Sequence, residues 1–265
     1  MQVSIIIINY NTFDLTNKCI KSILNYTYDL NYEIILVDNA SSECNADDFL
    51  SINANIILIK NKTNVGFAKA NNLGIEKASG EYILLLNSDT EIIENSILKC
   101  YNEIKNNQTI DVLTCRLISS DKTTQYNCQS FPSFIKLFIE RLRIHKFFTK
   151  RFTSKYLQGF YWIYDDFGYP NWIWGTFFMF RKKDISLLVE KKLNDDFFMY
   201  IEDMQWCWDF KKLNLKIAYT PSTKVLHYMG GSNGNKSDYL KNNYNTFLKN
   251  NYNSLHRFLL KLIEV

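Results

Sequence analysis

The residues of this chain that could do chemistry stand at the ends of apolar runs. Residues 82–86 carry no polar break and then give way to Asn87-Ser88-Asp89-Thr90. A carboxylate flanked by an amide and a hydroxyl is a hard oxygen ligand set for a divalent cation, and a cation there would hold a diphosphate. The same residue types also make an ordinary turn. Further along, Asp195, Asp196, Glu202 and Asp203 are set among Phe197, Phe198, Met199 and Tyr200. An acid enclosed by apolar side chains has a raised pKa and suits base catalysis. Acids in a helix's first turn equally serve its dipole. His227 ends a predicted strand before Gly230-Gly231, and it fits either a metal ligand or a structural imidazole.

These groups need elements to position them. The β-branched and apolar runs predict buried strands over residues 3–8, 32–37, 55–60, 82–86 and 111–117. Helical periodicity places helices over about 14–25 and 92–106. A further helix opens in the segment Asn64-Val65-Gly66-Phe67-Ala68-Lys69-Ala70-Asn71 and runs to about Ser79, with Gly80 as its stop. Alternating strand and helix predict a mostly parallel sheet with helices on both faces. In such a sheet the polar clusters at Asn9–Asn11, Asp38–Ser42 and Asn87–Thr90 end their strands on one edge, where ligands bind. In the second half, residues 172–181 predict a strand entered through Gly175, where another molecule can approach closely. A helix over 204–213 then follows, with Glu202 and Asp203 in its first turn, and short strands over 216–219 and 223–227.

Composition bounds the reading. A 265-residue chain can bury one large core, or one core and a subdomain. A formal charge of +4 does not call for a nucleic-acid partner. Cys19, Cys44, Cys100, Cys115, Cys128 and Cys207 show no zinc spacing and read as buried, reduced thiols of a cytosolic protein. No segment has the length of a signal peptide's apolar core or of a membrane span. The first strand ends in Asn-Tyr-Asn-Thr, not in a glycine-rich turn, and there is no GxxxxGK[ST]. Dinucleotide and P-loop readings therefore fail.

Residues 134–155 differ from the rest. Leu, Ile and Phe recur at helical spacing among Lys136, Arg141, Arg143, Lys146, Lys150 and Arg151, with Glu140 as the one acid. A basic amphipathic helix with aromatic residues suits an anionic membrane surface. It also suits a helix packed on the core with a solvated basic face.

In order and spacing, the segments from about Val3 to Ser232 together resemble family 2 glycosyltransferases of the GT-A fold. The opening Val-Ser-Ile-Ile-Ile-Ile-Asn-Tyr-Asn is similar to that family's first strand, which brings Asn9 and Asn11 to the nucleotide. By the same resemblance Asp38 recognises base or ribose, and Asn64, Gly66 and Asn71 border the nucleotide. Asn87-Ser88-Asp89 stands where the family has its DxD-type motif, so Asp89 would bind Mg²⁺ or Mn²⁺ on the donor diphosphate, with His227 completing the site. Glu202-Asp203 resembles the acidic pair, with Asp203 as base. Trp172 and Trp174 beside Gly175 are placed to stack on an acceptor sugar, or are core aromatics. Two departures stand out. Asn87 replaces an acid, which lowers the charge at the metal, and Gln205 and Asp209 replace an expected acid and arginine, which bears on acceptor contacts.

The resemblance implies one continuous domain, with residues 1–120 as the half binding the nucleotide sugar and 121–265 as the acceptor half. It implies an inverting, metal-dependent transfer of a hexose from a nucleotide sugar to a saccharide, one linked to lipid at the inner face of a bacterial membrane. The cast is most similar to rhamnosyltransferases of O-antigen and cell-wall assembly, using dTDP-rhamnose, with a UDP-hexose (glucose, galactose or N-acetylhexosamine) as the alternative donor. The expected location is cytoplasmic or peripheral to the membrane, and a homodimer is left open. A sugar nucleotidyltransferase would want a glycine-rich, basic loop after the first strand, which Asn9-Tyr10-Asn11 is not. A non-catalytic nucleotide-sugar-binding scaffold of the same fold would not need Asp89 and Asp203 together.

Overall fold

The computed structural model describes residues 1–229 and 236–264. Gly230, Gly231, Ser232 and Gly234, which the sequence placed in or beside site segments, lie outside the described residues.

In the first half, β1 (Val3–Asn9), α1 (Phe13–Tyr26), β2 (Tyr32–Asp38), β3 (Ile57–Lys60), α2 (Phe67–Lys77), β4 (Tyr82–Asn87), β5 (Thr90–Ile92), α3 (Ser96–Asn106) and β6 (Val112–Ile118) follow in order. The second half holds β7 (Cys128–Gln129), α4 (Phe134–Arg141), α5 (Lys150–Tyr156), β8 (Trp172–Ile173), β9 (Phe177–Arg181), α6 (Glu202–Lys212), β10 (Ile217–His227), α7 (Lys236–Asn251) and α8 (Ser254–Glu264). The main sheet runs β3-β2-β1-β4-β9-β6-β10-β5. β1 pairs in parallel with β2 and β4, β2 with β3, and β6 with β10, while β9 and β5 run antiparallel to their neighbours. The fold is α/β with a mostly parallel sheet, as the alternation predicts, and the sheet draws strands from both halves of the chain.

Every residue of β1 is buried because both faces of the sheet are covered. Ile5 and Ile7 face one cluster with Cys19, Ile20 and Ile23 of α1 and Ile97 and Ile104 of α3. Ile6 and Ile8 face the other, with Ala68 and Ala70 of α2 and Trp206 and Phe210 of α6. Burying each such Ile contributes roughly 1.5–3 kcal/mol.

Several local expectations change. The predicted helix over 92–106 begins only at Ser96, because Thr90 to Ile92 pair with β10 instead. The predicted strand over 172–181 divides between two sheets. Between β8 and β9 the Trp174 amide donates to the Asn127 carbonyl and the Gly175 amide to Asp203 Oδ2, so Gly175 belongs to neither ladder. The strands predicted over 216–219 and 223–227 are one strand, β10, with a register shift between Thr220 and Lys224 around Pro221. Gly80 is not the left-handed stop of α2, which ends in extended Ala78. Glycine is needed there because a Cβ would come 2.6 Å from the Ser4 amide nitrogen. The basic segment is not one helix. It breaks at Arg143, left-handed at φ 56°, into α4, a 3₁₀ turn and α5. Lys136 turns inward to donate to Ser130 Oγ at 2.7 Å, and burial lowers its pKa. All six cysteines are free thiols, and Cys44 is only partly buried. Among the described residues, no helix is long and apolar enough to cross a membrane.

Candidate active site

Strand register brings the polar clusters to one edge. Asn9 lies opposite Asp38, and Ile8 opposite Asn87. The antiparallel pairing of β10 with β5 sets His227 opposite Thr90, next to Asp89. These strand ends open into a cavity of about 600 Å³. Asn11, Thr12, Asn39, Asn64, Asn87, Ser88, Asp89 and His227 line it together with Trp172, Trp174, Gly175, Thr176 and the segment Met199 to Asp203. The two groups adjoin, since the Asn87 amide donates to the Thr176 carbonyl at 3.0 Å and the Trp174 ring lies 6.4 Å from that of His227. The sheet edge and the start of α6 therefore share one cavity.

The imidazole of His227 is held between two partners. Its Nδ1 lies 2.7 Å from Gln125 Oε1, and its Nε2 lies 3.3 Å from Asp89 Oδ1. The Gln125 amide nitrogen donates to the His227 carbonyl and to Ser119 Oγ, which fixes which end of the amide meets the ring. Nδ1 must then carry a proton. Nε2 is left facing a carboxylate, and a proton or a cation belongs between them. On the same wall, Asn87 Oδ1 is buried with no hydrogen-bond partner. Among the described residues, no group of three His, Cys, Asp or Glu could hold a metal. Asp89, His227 and the Asn87 oxygen nevertheless fit a small divalent ion that takes its other ligands from water and a diphosphate.

On the same cavity, α6 begins at an unusual place. Tyr200 and Ile201 both have positive φ, 66° and 76°, which is strained for a β-branched residue. Asn243 of α7 holds the turn by donating to the carbonyls of Met199 and Tyr200 at 2.8 and 3.2 Å. The turn aims Glu202 and Asp203 inward. Asp203 accepts from the Gly175 amide at 3.1 Å and the Met204 amide at 2.8 Å. Burial pushes its pKa up to about 6 against the lowering by these amides. Glu202 is more deeply buried, its Oε2 has no hydrogen-bond partner, and burial followed by the charge of Asp203 raises it well above the usual range. Because the charge of Asp203 raises Glu202, Glu202 holds its proton the more tightly of the pair.

Of the residues singled out from sequence, Asn11, Asn64, Asn87, Ser88, Asp89, Trp172, Trp174, Gly175, Glu202, Asp203 and His227 line the cavity. Asn9, Asp38, Gly66 and Asn71 do not. Asn9 is buried, donating to Asp38 and Ser41 and accepting from Thr12 and Thr16, so its side chain is spent on positioning Asp38. Asp38 accepts from Asn9 at 2.8 Å and from the Ser41 amide at 3.2 Å, behind the wall that Asn39 forms. Asn71 donates within α2 to the Phe67 carbonyl. Gly66 is glycine because its φ is +87° and a Cβ would sit 2.5 Å from the Phe198 carbonyl oxygen.

Among the contributors that escaped the sequence reading are Asn39, Thr176 and Gln125. Asn39 accepts from Asn61 and the Val65 amide and donates to Asn64, which fixes the loop before α2; its place beside Asp38 at a strand end was the available signal. Thr176 follows Gly175 and was available in the same way. Gln125 lies in a loop after β6 and offers no local signal.

The model of the family described as glycosyl transferase family 2 matches residues 4–185 of this chain. A Bacillus spizizenii poly(ribitol-phosphate) beta-glucosyltransferase is 37% identical over 41% of this chain and 18% of its own length. The Streptococcus pneumoniae glycosyltransferase GlyG is 34% identical over 39% of this chain and 35% of its own length. The chain thus matches only part of these relatives. The crystal structure of S. aureus TarS 1–349 in complex with UDP superposes with a TM-score of 0.58 at 15% identity, covering 87% of this chain and 61% of that one. That likeness is one of fold. With more than half its length matched by the family model, the chain belongs to glycosyl transferase family 2.

Proposed function

We propose that the chain transfers a hexose from a nucleotide sugar to a saccharide hydroxyl with inversion at the anomeric carbon. The observation that carries this is one cavity lined by both the Asp89–His227 pair and the Asp203 carboxylate. Asp89, His227 and Asn87 would hold Mg²⁺ or Mn²⁺, which supplies positive charge to the departing diphosphate. Asn11, Asn39, Asn64 and Ser88 line the donor side and offer amides and a hydroxyl to nucleotide and phosphate. Asp203 takes the proton of the acceptor hydroxyl. That oxygen bonds to the anomeric carbon as the bond to the diphosphate breaks, and the electron pair leaves with the nucleoside diphosphate. Trp172 and Trp174 line the same cavity, and their partly exposed rings suit stacking on a sugar face.

The glucosyl activity named for the Bacillus relative and the UDP held by the TarS structure support a UDP-hexose donor. The overall cast of the sequence, its Asn-Ser-Asp included, favours dTDP-rhamnose instead. The acceptor we propose is a lipid-linked saccharide or wall polymer. A thermal-shift panel of UDP, dTDP, GDP and CDP, each with and without Mn²⁺, tests the donor. A metal-dependent rise with UDP supports the UDP-hexose reading, and a rise with dTDP alone returns rhamnose to first place. No rise with any nucleotide removes the transferase reading and leaves the scaffold. The metal-free arm tests the ion.

A further inference from the structure

Helices α4 and α8 pack against each other, and Arg141 Nη1 donates to the Ile263 carbonyl at 2.5 Å. Both turn apolar residues to one cluster, Phe134 and Leu137 from α4 and Leu260 from α8. Each carries a second apolar row as well; on α4 it adjoins the packed one, where Phe138 stacks on Phe134. Ile135, Phe138 and Leu142 recur at i, i+3, i+7 and are exposed, as are Leu255, Phe258 and Leu262 at the same spacing. Ile135 is 68% and Leu255 66% exposed, and Phe147, on the 3₁₀ turn between α4 and α5, is 87% exposed. Two apolar rows on adjoining helices with a projecting aromatic residue are more than scattered surface hydrophobes.

The charge around them is mostly positive, with Glu140 the one acid of α4 and Glu264 the one acid of α8. Arg141, Arg143, Lys146, Lys150, Arg151 and Lys261 are exposed, and no acid occurs in residues 141–164. We infer that this face docks on an anionic lipid bilayer, the apolar rows and Phe147 entering the headgroup boundary and the cations meeting lipid phosphates. A second copy would set like charges against each other, which disfavours a symmetric pairing. The platform also backs the cavity, because Trp172 and Ile201 of the cavity wall pack in the same cluster as Phe134, Leu137 and Leu260. Docking there holds the mouth near the bilayer, where a lipid-borne acceptor is presented. The surface itself stands on exposure and charge and not on the transferase reading.

The test is flotation of the whole chain with phosphatidylcholine vesicles with and without phosphatidylglycerol. The wild type is expected to float with the anionic vesicles and not with the neutral ones. Each cation near an anionic surface strengthens binding by about fivefold, so Arg143→Ser with Lys146→Ser and Lys150→Ser weakens it on the order of 10²-fold. Phe147→Ser with Phe258→Ser also weakens it while leaving the cations in place. Unchanged nucleotide thermal shifts in these surface variants keep the donor-site reading separate from this one. Failure of the wild type to float overturns the inference, as does a cation variant that floats like wild type. So does a wild-type dimer that Phe258→Glu splits, since a second copy then covers the face.

Discussion

Nε2 of His227 lies 3.3 Å from Asp89 Oδ1 while its Nδ1 lies 2.7 Å from Gln125 Oε1. The pair is built by strand register and not by sequence proximity, since β10 places His227 opposite Thr90. With Nδ1 committed to Gln125, the other nitrogen and the carboxylate compete for one positive charge. Asp89→Ala removes half of this arrangement. Calorimetry with UDP and Mn²⁺ is expected to show the metal-dependent part of nucleotide affinity lost, and an unchanged affinity removes Asp89 from the site.

Gln125 touches the ring and not the cavity, so its effect passes through His227. Gln125→Met keeps the volume and removes the acceptor that fixes the tautomer. Loss of such an outer partner typically costs 10- to 100-fold in metal affinity. Titration of Mn²⁺ into the nucleotide-bound chain is expected to show a loss in that range. Wild-type affinity would mean the tautomer is set elsewhere.

The left-handed Tyr200–Ile201 turn is a second device of this kind, held by Asn243. Asn243→Ala is expected to let the turn relax and swing Asp203 away from the Gly175 amide. A misplacement of about 1 Å costs up to ~10²-fold in turnover. Nucleotide affinity should stay at the wild-type value because the sheet-edge wall is untouched. A drop in affinity equal to the drop in kcat would place Asn243 in general folding.

Gly66 gives a stability prediction. Its φ of +87° is glycine territory, and a Cβ would lie 2.5 Å from the Phe198 carbonyl oxygen, which accepts from the Phe67 amide. The backbone strain alone costs about 1–3 kcal/mol, which corresponds to roughly 2–12 °C in Tm for a chain of this size. Gly66→Ala should melt lower by at least that margin. Gly175→Ala should melt near the wild type, since its Cβ would meet only ordinary contacts at 3.5 Å.

The parallel sheet and its polar edge were legible because they follow from local pattern. A β-branched run such as Ile5 to Ile8 has few other uses, and once the strands are parallel their ends share an edge. What was not legible depended on partners distant in sequence. Thr90 to Ile92 reads as helix until β10 pairs with it, and residues 172–181 read as one strand until the Gly175 amide is claimed by Asp203. Gln125 meets a histidine 102 residues away, which no local pattern records. Asn9 and Asp38 were drawn to the ligand because they end their strands, yet they are hydrogen-bonded to each other and neither lines the cavity.

Asp203 ties activity to stability, with opposite signs along the pH axis. Its pKa is raised by burial from 3.8 to about 6. As the base it must be ionised, so turnover should fall as pH drops through about 6. Asp203→Asn should lose on the order of 10²-fold or more at pH 8. In folding the sign reverses. A raised folded pKa means that the native chain holds the proton more tightly than the unfolded one between about pH 4 and 6. The protonated residue's contribution to stability is therefore full below about pH 4 and is lost as pH rises through about 6. Asp203→Asn has no such titration and does not lose stability with it. It does sacrifice an acceptor, because one of the Gly175 and Met204 amides will face the new amide group, and that adds a pH-independent offset. The quantity to measure is thus the Tm of the variant minus that of the wild type. It should increase from pH 4 to pH 7, whatever its value at either end. A difference that stays flat across this range would mean that Asp203 titrates at its ordinary value, and the base assignment would lose its physical basis.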